Sequence, residues 1–166
     1  MHKTSAWPLA LIYLGLVVYA SLYPFTGWRD QGIAPWAFLG APLPRWWTWF
    51  DVQINVVGYA PLGFLLALSG LRSGQARWSL ASATLAGAGV SLAMEMAQGY
   101  LPRRVPSNVD WALNVAGTFL GAVWAHLLQR TGTIDRWSRF RADWLAGDAR
   151  GAMVLLALWP VALLFP

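Results

Sequence analysis

The acids and amides of this chain follow a repeated spacing. An Asp-x3-Asn-x2-Gly pattern occurs twice, and its two copies begin 59 residues apart, at positions 51 and 110. The copies comprise Asp51, Asn55 and Gly58, and Asp110, Asn114 and Gly117. Positions i, i+4 and i+7 lie on one face of a helix, so each copy predicts a carboxylate, an amide and a glycine in one stripe. There the carboxylates can cap helix N-termini, the amides can bond across helices, and the glycines can permit close helix approach.

Glu95 is an acidic residue within an apolar run, where a carboxylate is unfavourable. Gln98 follows one helical turn further along. An ionisable residue inside such a helix usually marks a functional site. Arg103 and Arg104 follow in the next loop, and guanidinium groups offer forked donors to phosphate or carboxylate. We expect Glu95 to pair with Arg103, Arg104 or an asparagine. The arrangement then serves either a ligand or a purely structural ion pair.

Four apolar runs must position these residues, and they cover residues 6–22, 52–71, 80–97 and 111–128. The chain is 57% hydrophobic and 11% charged, whereas soluble domains carry about a quarter charged residues. Each run is long enough to cross a membrane. We therefore predict an all-α integral membrane protein, a four-helix transmembrane bundle of two similar hairpins plus a partial fifth helix. The alternative for the first run is a signal peptide cleaved near Ala20.

The loops between the runs carry the aromatic and basic residues. Residues 24–50 are rich in Pro, Gly and Trp, as expected of a segment among lipid headgroups. A cytoplasmic N-terminus places eight basic residues inside and four outside, which agrees with the positive-inside rule. The inner set is Lys3, Arg72, Arg77, Arg130, Arg136, Arg139, Arg141 and Arg150, and the outer set is Arg29, Arg45, Arg103 and Arg104. Both the Trp-rich loop and the loop after Glu95 are thus predicted to face outwards.

The chain divides into three predicted parts: a transmembrane domain at 1–129, an amphipathic cytoplasmic linker at 130–151, and the start of a further transmembrane helix at 152–166. We expect the sequence to end there as a fragment. Small residues at four-residue spacing predict tight packing within the first part. They are Ala83, Gly87 and Ser91 on the third run and Gly117, Gly121 and Ala125 on the fourth.

Composition excludes several kinds of chemistry. Cysteine is absent, so disulfides, thiolate metal sites and cysteine nucleophiles are excluded. His2 and His126 are far apart, and the sequence contains neither a His-rich metal motif nor a Ser-centred elbow. We therefore predict no metal site and no cofactor. Nucleic acid is not a predicted partner, because the basic residues lie in short loops beside apolar runs rather than on one face.

The polar landmarks, taken in order, resemble those of the VanZ-like membrane proteins. They are Asp51-x3-Asn55-x2-Gly58-x2-Pro61-x-Gly63, Glu95-x2-Gln98, Pro102-x-Arg104 and Asp110-x3-Asn114-x2-Gly117. The resemblance covers residues 6–128 and implies a four-helix domain of the bacterial inner (plasma) membrane. The family takes its name from a protein associated with resistance to the glycopeptide antibiotic teicoplanin, which implies a role at the cell envelope.

Three functions are compatible with these residues. The leading hypothesis is non-catalytic binding or handling of an anionic lipid, a lipid-linked envelope precursor or a glycopeptide antibiotic at the outer leaflet. The predicted ligand-binding residues are Asp51, Asn55, Glu95, Gln98, Arg103, Arg104, Asp110 and Asn114. One alternative is a membrane-embedded hydrolase or transferase acting on a lipid-linked phosphate, with Glu95 or Asp110 as general base and a divalent cation between carboxylates. The other is a structural helper of a partner membrane protein.

Overall fold

The structure, a computed structural model, describes residues 5–44, 46–144 and 158–159, without the side chains of residues 141–144. Over these residues the chain is helical and contains no strand. The helices are α1 (Ala6–Leu22), α2 (Trp49–Arg72), α3 (Ala76–Gln98), α4 (Asn108–Arg130) and α5 (Thr133–Trp144), and a 3-10 turn covers Ala37–Gly40. In the described part of the chain α2, α3 and α4 are long and apolar enough to cross a membrane, and α1 is a shorter apolar helix of 17 residues.

The N-termini of α2 and α4 are capped by hydroxyl side chains. Thr48 Oγ1 accepts the Asp51 amide at 3.2 Å, and the Asp51 carboxylate accepts the Thr48 amide at 2.7 Å, which forms a capping box. Ser107 Oγ likewise accepts the Asp110 amide at 3.3 Å. The N-cap residues are therefore Thr48 and Ser107, three positions before the predicted aspartates, although the Asp51 carboxylate takes part in the first cap. Hydroxyl oxygens satisfy the free amides, and each Asp lies in the first turn, where negative charge is favourable.

The chain forms two compact units, Met1–His126 and Leu127–Pro166. In the first unit, one core cluster consists of Ala67, Ala83, Ala122 and Ala125, and a second consists of Val17, Tyr59 and Leu62. The predicted small-residue faces of α3 and α4 are buried, as expected. Tyr13 Oη also donates to the Gly58 carbonyl at 2.9 Å, which joins α1 to α2.

Helices α2 and α4 touch through their backbones. A Cβ added to Gly117 would run into the Val56 carbonyl, and one added to Gly121 would run into the Ala60 carbonyl. Both contact positions advance by four residues along both helices, so α2 and α4 run parallel. Gly58, the repeat equivalent of Gly117, would meet nothing within 4 Å. The predicted close approach at Gly58 is therefore wrong.

The second unit contains the end of α4 and all of α5. Gln129 donates to the Asp135 carboxylate at 3.3 Å, and the rings of Trp137 and Phe140 stack at 5.8 Å. The predicted amphipathic linker thus includes a helix. The predicted run at 152–166 lies outside the described residues, apart from Leu158 and Trp159, which are helical. Lys3, Arg45 and Arg150, used above to predict orientation, also lie outside them, as does the side chain of Arg141.

Candidate functional site

Two loops meet at one end of the first unit, where α1 and α3 end and α2 and α4 begin. We call this region the loop end (residues 23–44, 46–48 and 99–107). The Gln31 side chain donates to the Gly99 carbonyl at 2.6 Å, and Asn108 donates to the Ala41 carbonyl at 2.7 Å. Phe38 is buried beneath the loop. The Trp-rich loop is therefore fixed against the turn between α3 and α4.

A cleft of about 370 Å³ lies between these two loops. Its walls are mostly apolar and include Ile33, Pro35, Phe38, Pro102, Val105 and Pro106. Arg104 and Gln31 are the charged and amide side chains of the lining. A small number of polar groups on mostly apolar walls is the usual composition of a small-molecule site. Sequence reasoning predicted Arg104 but not the cleft.

Arg104 is held in place by the end of α1. Its Nη2 donates to the carbonyls of Ala20 at 3.3 Å and Tyr23 at 3.2 Å. Carbonyls at the end of a helix lack intrahelical donors and carry partial negative charge, so the guanidinium caps α1. A guanidinium has five N–H donors, and the described contacts use those of Nη2 alone. Its Nε and Nη1 hydrogens take part in none of the hydrogen bonds given by the described residues.

Glu95 lies beneath the loop end and is 3% exposed. Its Oε2 accepts the backbone amide of Ser107 at 2.8 Å. The expectation that Glu95 pairs with Arg103, Arg104 or an asparagine was wrong, because the Arg104 guanidinium is turned to α1 and the cap residue before α4, Ser107, supplies the donor. Gln98, one turn further along, donates to the Ser21 carbonyl at 3.0 Å and so also binds the end of α1.

Two buried polar atoms near Glu95 have no hydrogen-bond partner among the residues that the structure describes. Asn114 is 4% exposed, and its Nδ2 donates to Ser91 Oγ at 3.0 Å, but its Oδ1 has no partner. Tyr59 is 6% exposed, and its hydroxyl has no partner within 3.5 Å among the described residues, although the side chains of Ser91, Ser21 and Glu95 lie close enough to act on it. Sequence reasoning missed Tyr59. The signal was present, since Tyr59 continues the helical stripe of Asp51 and Asn55 at the next four-residue interval.

The predicted ligand residues are thus divided among different places. Glu95 and Asn114 share the buried cluster, and Asp110 lies within electrostatic range of Glu95 and of Asp51. Asn55 donates to the Asp51 carbonyl of its own helix, so its predicted bond across helices is wrong. Arg103 is exposed beside the cleft and, within the described part of the chain, forms no hydrogen bond or ion pair.

Metal ligands of the common kind do not gather anywhere in the described ranges, since no three His, Asp or Glu side chains lie together there. His126 Nε2 lies 2.9 Å from Ser79 Oγ, near the ends of α3 and α4 opposite the loop end. This pair therefore contributes to the packing of α3 against α4 and is remote from the cleft.

Comparison with known proteins identifies a family but no individual protein that matches this chain. A model of the VanZ/LLP1 family matches residues 9–129, from the first turn of α1 to the last turn of α4. No curated protein matches the chain, and no solved structure does. The matched range contains the cleft, the buried polar cluster and both copies of the Asp-Asn-Gly repeat.

Proposed function

This chain belongs to the VanZ/LLP1 family, and we propose that it is a membrane protein that binds an anionic amphiphile in the loop-end cleft. The ligand class is an anionic lipid or a lipid-linked envelope precursor. The observation that carries the proposal is the combination of apolar walls with the fixed Arg104 guanidinium. An acyl or prenyl chain fits such walls, and a phosphate or carboxylate fits the guanidinium.

The surroundings of the cleft also suit a ligand drawn from the membrane. Exposed aromatic residues lie in or beside the loop end, among them Trp28, Trp36 and Trp49, and indoles concentrate at the level of lipid headgroups. Ile33 and Val105 are 68% and 84% exposed. A headgroup at Arg104 would leave its chain free to continue into the bilayer past these two side chains.

The membrane arrangement in this proposal uses all four helices of the family domain. Helices α2, α3 and α4 cross the bilayer, and α1 crosses with them, since its 17 residues extend about 26 Å at about 1.5 Å per residue, close to the hydrocarbon thickness of about 30 Å. The N-terminus is cytoplasmic, in the bacterial inner membrane. The loop end then faces the outer leaflet.

Binding is preferred to catalysis because the acids do not reach the cleft. Neither Glu95 nor Asp110 lines it, so a ligand held by Arg104 does not contact the carboxylates considered as general bases. The association of the family name with teicoplanin resistance extends the proposal to a glycopeptide antibiotic as a competing ligand of the same cleft.

The test is a binding titration with purified full-length protein in detergent. Short-chain phosphatidic acid is the anionic probe, and diacylglycerol of the same chain length is its neutral comparator. We expect saturable binding of the anionic probe alone. Arg104→Gln is expected to weaken binding by about 10-fold or more, because a charge-assisted hydrogen bond contributes about 1.5–3 kcal/mol.

Two matched controls separate binding from folding. Gln98→Leu also removes a side-chain donor from the end of α1 but does not line the cleft. Arg29→Gln removes the same charge from the same loop end, again outside the lining. Both should bind the probe normally. Equal losses in Arg104→Gln and Gln98→Leu would show that the end of α1, rather than the guanidinium, controls binding. Teicoplanin is then added to ask whether it displaces the probe.

A further inference from the structure

We propose that the polar cluster of Tyr59, Ser91, Glu95 and Asn114, called here the inner cluster, binds one sodium ion. This site is separate from the cleft, since none of its members lines that cleft. It therefore goes beyond the proposed binding of an amphiphile. The proposal rests on three observations in the described part of the chain: two buried oxygen atoms without partners, one carboxylate without a counter-ion, and a donor set made of oxygen.

The first observation concerns hydrogen bonds. In a protein interior nearly every buried polar atom has a hydrogen-bond partner. In a membrane, a polar atom without such a partner strongly destabilises the fold. The inner cluster has two such atoms, Tyr59 Oη and Asn114 Oδ1, on neighbouring helices. Asn114 is held by its Nδ2 on Ser91 Oγ, so its carbonyl oxygen is already oriented away from that bond. Ser91 lies beside both residues, since Asn114 donates to it and it acts on the Tyr59 hydroxyl, and we take the two exceptions to share one missing ligand.

The second observation concerns charge. The described contact of the Glu95 carboxylate is with a neutral amide, that of Ser107. Arg104 of the loop end donates to the end of α1 instead. Asp110 adds a second negative field, and Asp51 acts on Asp110 in turn. A buried carboxylate in this setting is neutralised either by a proton or by a positive partner, and the proposal gives this role to one monovalent cation.

The third observation concerns the kind of ligand. The inner cluster offers a carboxylate, an amide carbonyl and hydroxyl oxygens, with no thiolate and no imidazole among its members. Oxygen donors of this kind select hard cations rather than zinc or copper. Glu95 is the single carboxylate among the four members of the inner cluster, so a single positive charge matches it. We therefore assign sodium rather than a divalent ion.

The experiment measures sodium binding by the purified full-length protein in detergent. Thermal unfolding is followed by tryptophan fluorescence in sodium chloride and in choline chloride at equal ionic strength. A ligand at 100 times its Kd raises Tm by about 5 °C or more in a chain of this size. We expect sodium to give a saturable rise of this order and choline to give none. Radioactive sodium in equilibrium dialysis supplies a direct readout.

Four variants locate the ion. Glu95→Gln keeps the shape of the side chain and should abolish both the thermal shift and sodium binding. Tyr59→Phe removes one hydroxyl and should weaken sodium binding by about 10-fold, equivalent to one lost ligand at about 1.4 kcal/mol. Asn114→Ala should weaken it likewise. Asn55→Ala, at the equivalent position of the repeat, should leave it unchanged, since Asn55 bonds to its own helix.

Several outcomes would overturn the assignment. Equal thermal stability in sodium chloride and choline chloride would mean that water molecules, not an ion, bind the two unpartnered oxygens. Sodium binding that survives in Glu95→Gln would place the ion elsewhere, and protection by magnesium or calcium but not sodium would refute a monovalent site. The phosphatidic acid titration is run on Glu95→Gln as well. Normal probe binding there would keep the two proposals independent.

Discussion

Gly58 and Gly117 occupy equivalent positions of the repeat, yet their surroundings differ. A Cβ at position 117 would meet the Val56 backbone, whereas one at position 58 would meet nothing within 4 Å. Overpacking costs about 1–3 kcal/mol, while alanine in a helix is favoured over glycine by about 0.5–1 kcal/mol. We expect Gly117→Ala to lower Tm clearly and Gly58→Ala to keep or slightly raise it. Thermal unfolding of both variants in one detergent decides this, and equal losses would refute the parallel contact of α2 and α4.

Residue types were easier to predict from sequence than residue partners. Glu95 was recognised because an acid in an apolar run is rare and costly, but its donor is the Ser107 amide, which depends on the path of a loop. Asn55 and Asn114 have the same motif position and different partners, one within its helix and one across helices. Tyr59 was missed because the sequence does not distinguish it from an aromatic residue of the hydrophobic core. Only the structure shows where its hydroxyl group lies.

At the scale of the helices, the caps of α2 and α4 give a separate prediction. Loss of an N-cap hydroxyl costs about 0.5–2 kcal/mol, and each kcal/mol lowers Tm by about 2–4 °C in a chain of this size. Thr48→Ala and Ser107→Ala should both show losses in this range, measured by thermal unfolding. Thr48→Ser retains the hydroxyl and is the control for the first. A loss in Thr48→Ser as large as in Thr48→Ala would assign the effect to the methyl group rather than to the cap.

The helices themselves were predictable because a membrane-crossing helix needs a long apolar run, and such runs are visible in composition alone. The helices begin three to four residues earlier than the runs at 52–71, 80–97 and 111–128, because their first turns contain polar or charged residues such as Asp51, Arg77 and Asn108. The cleft was not predictable. It depends on contacts between distant loops, such as Gln31 with Gly99, and on the turns of a segment rich in Pro and Gly, and neither follows from hydropathy.

At the scale of the molecule, exposed tryptophans lie at both ends of the unit Met1–His126. Trp28, Trp36, Trp46, Trp47 and Trp49 lie at or beside the loop end, and Trp7, Trp78 and Trp124 lie towards the opposite end. A helix of 23 residues such as α3 extends about 35 Å at about 1.5 Å per residue, slightly more than the hydrocarbon core of about 30 Å. Two groups of indoles at this separation agree with two membrane interfaces.

Orientation depends on the other unit. Of the eight basic residues predicted to be cytoplasmic, five lie in Leu127–Pro166. Within Met1–His126 the predicted inner side carries three basic residues and the predicted outer side carries four. The positive-inside rule therefore assigns no orientation to this part of the chain. The outer position of the cleft therefore rests on residues that take no part in it, and it has to be tested directly.

The sequence contains no cysteine, so a thiol introduced by substitution is the only one in the protein. Labelling therefore reports on the substituted position alone. Val105→Cys reports on the cleft, and Gln75→Cys reports on the turn between α2 and α3; both native side chains are exposed. With a membrane-impermeant maleimide on intact cells, we expect labelling at position 105 and protection at position 75 until the membrane is permeabilised. The reverse pattern would place the cleft in the cytoplasm. An outer-leaflet ligand would then be excluded, whereas the inner cluster would keep its sodium assignment, since that rests on buried oxygens and not on orientation.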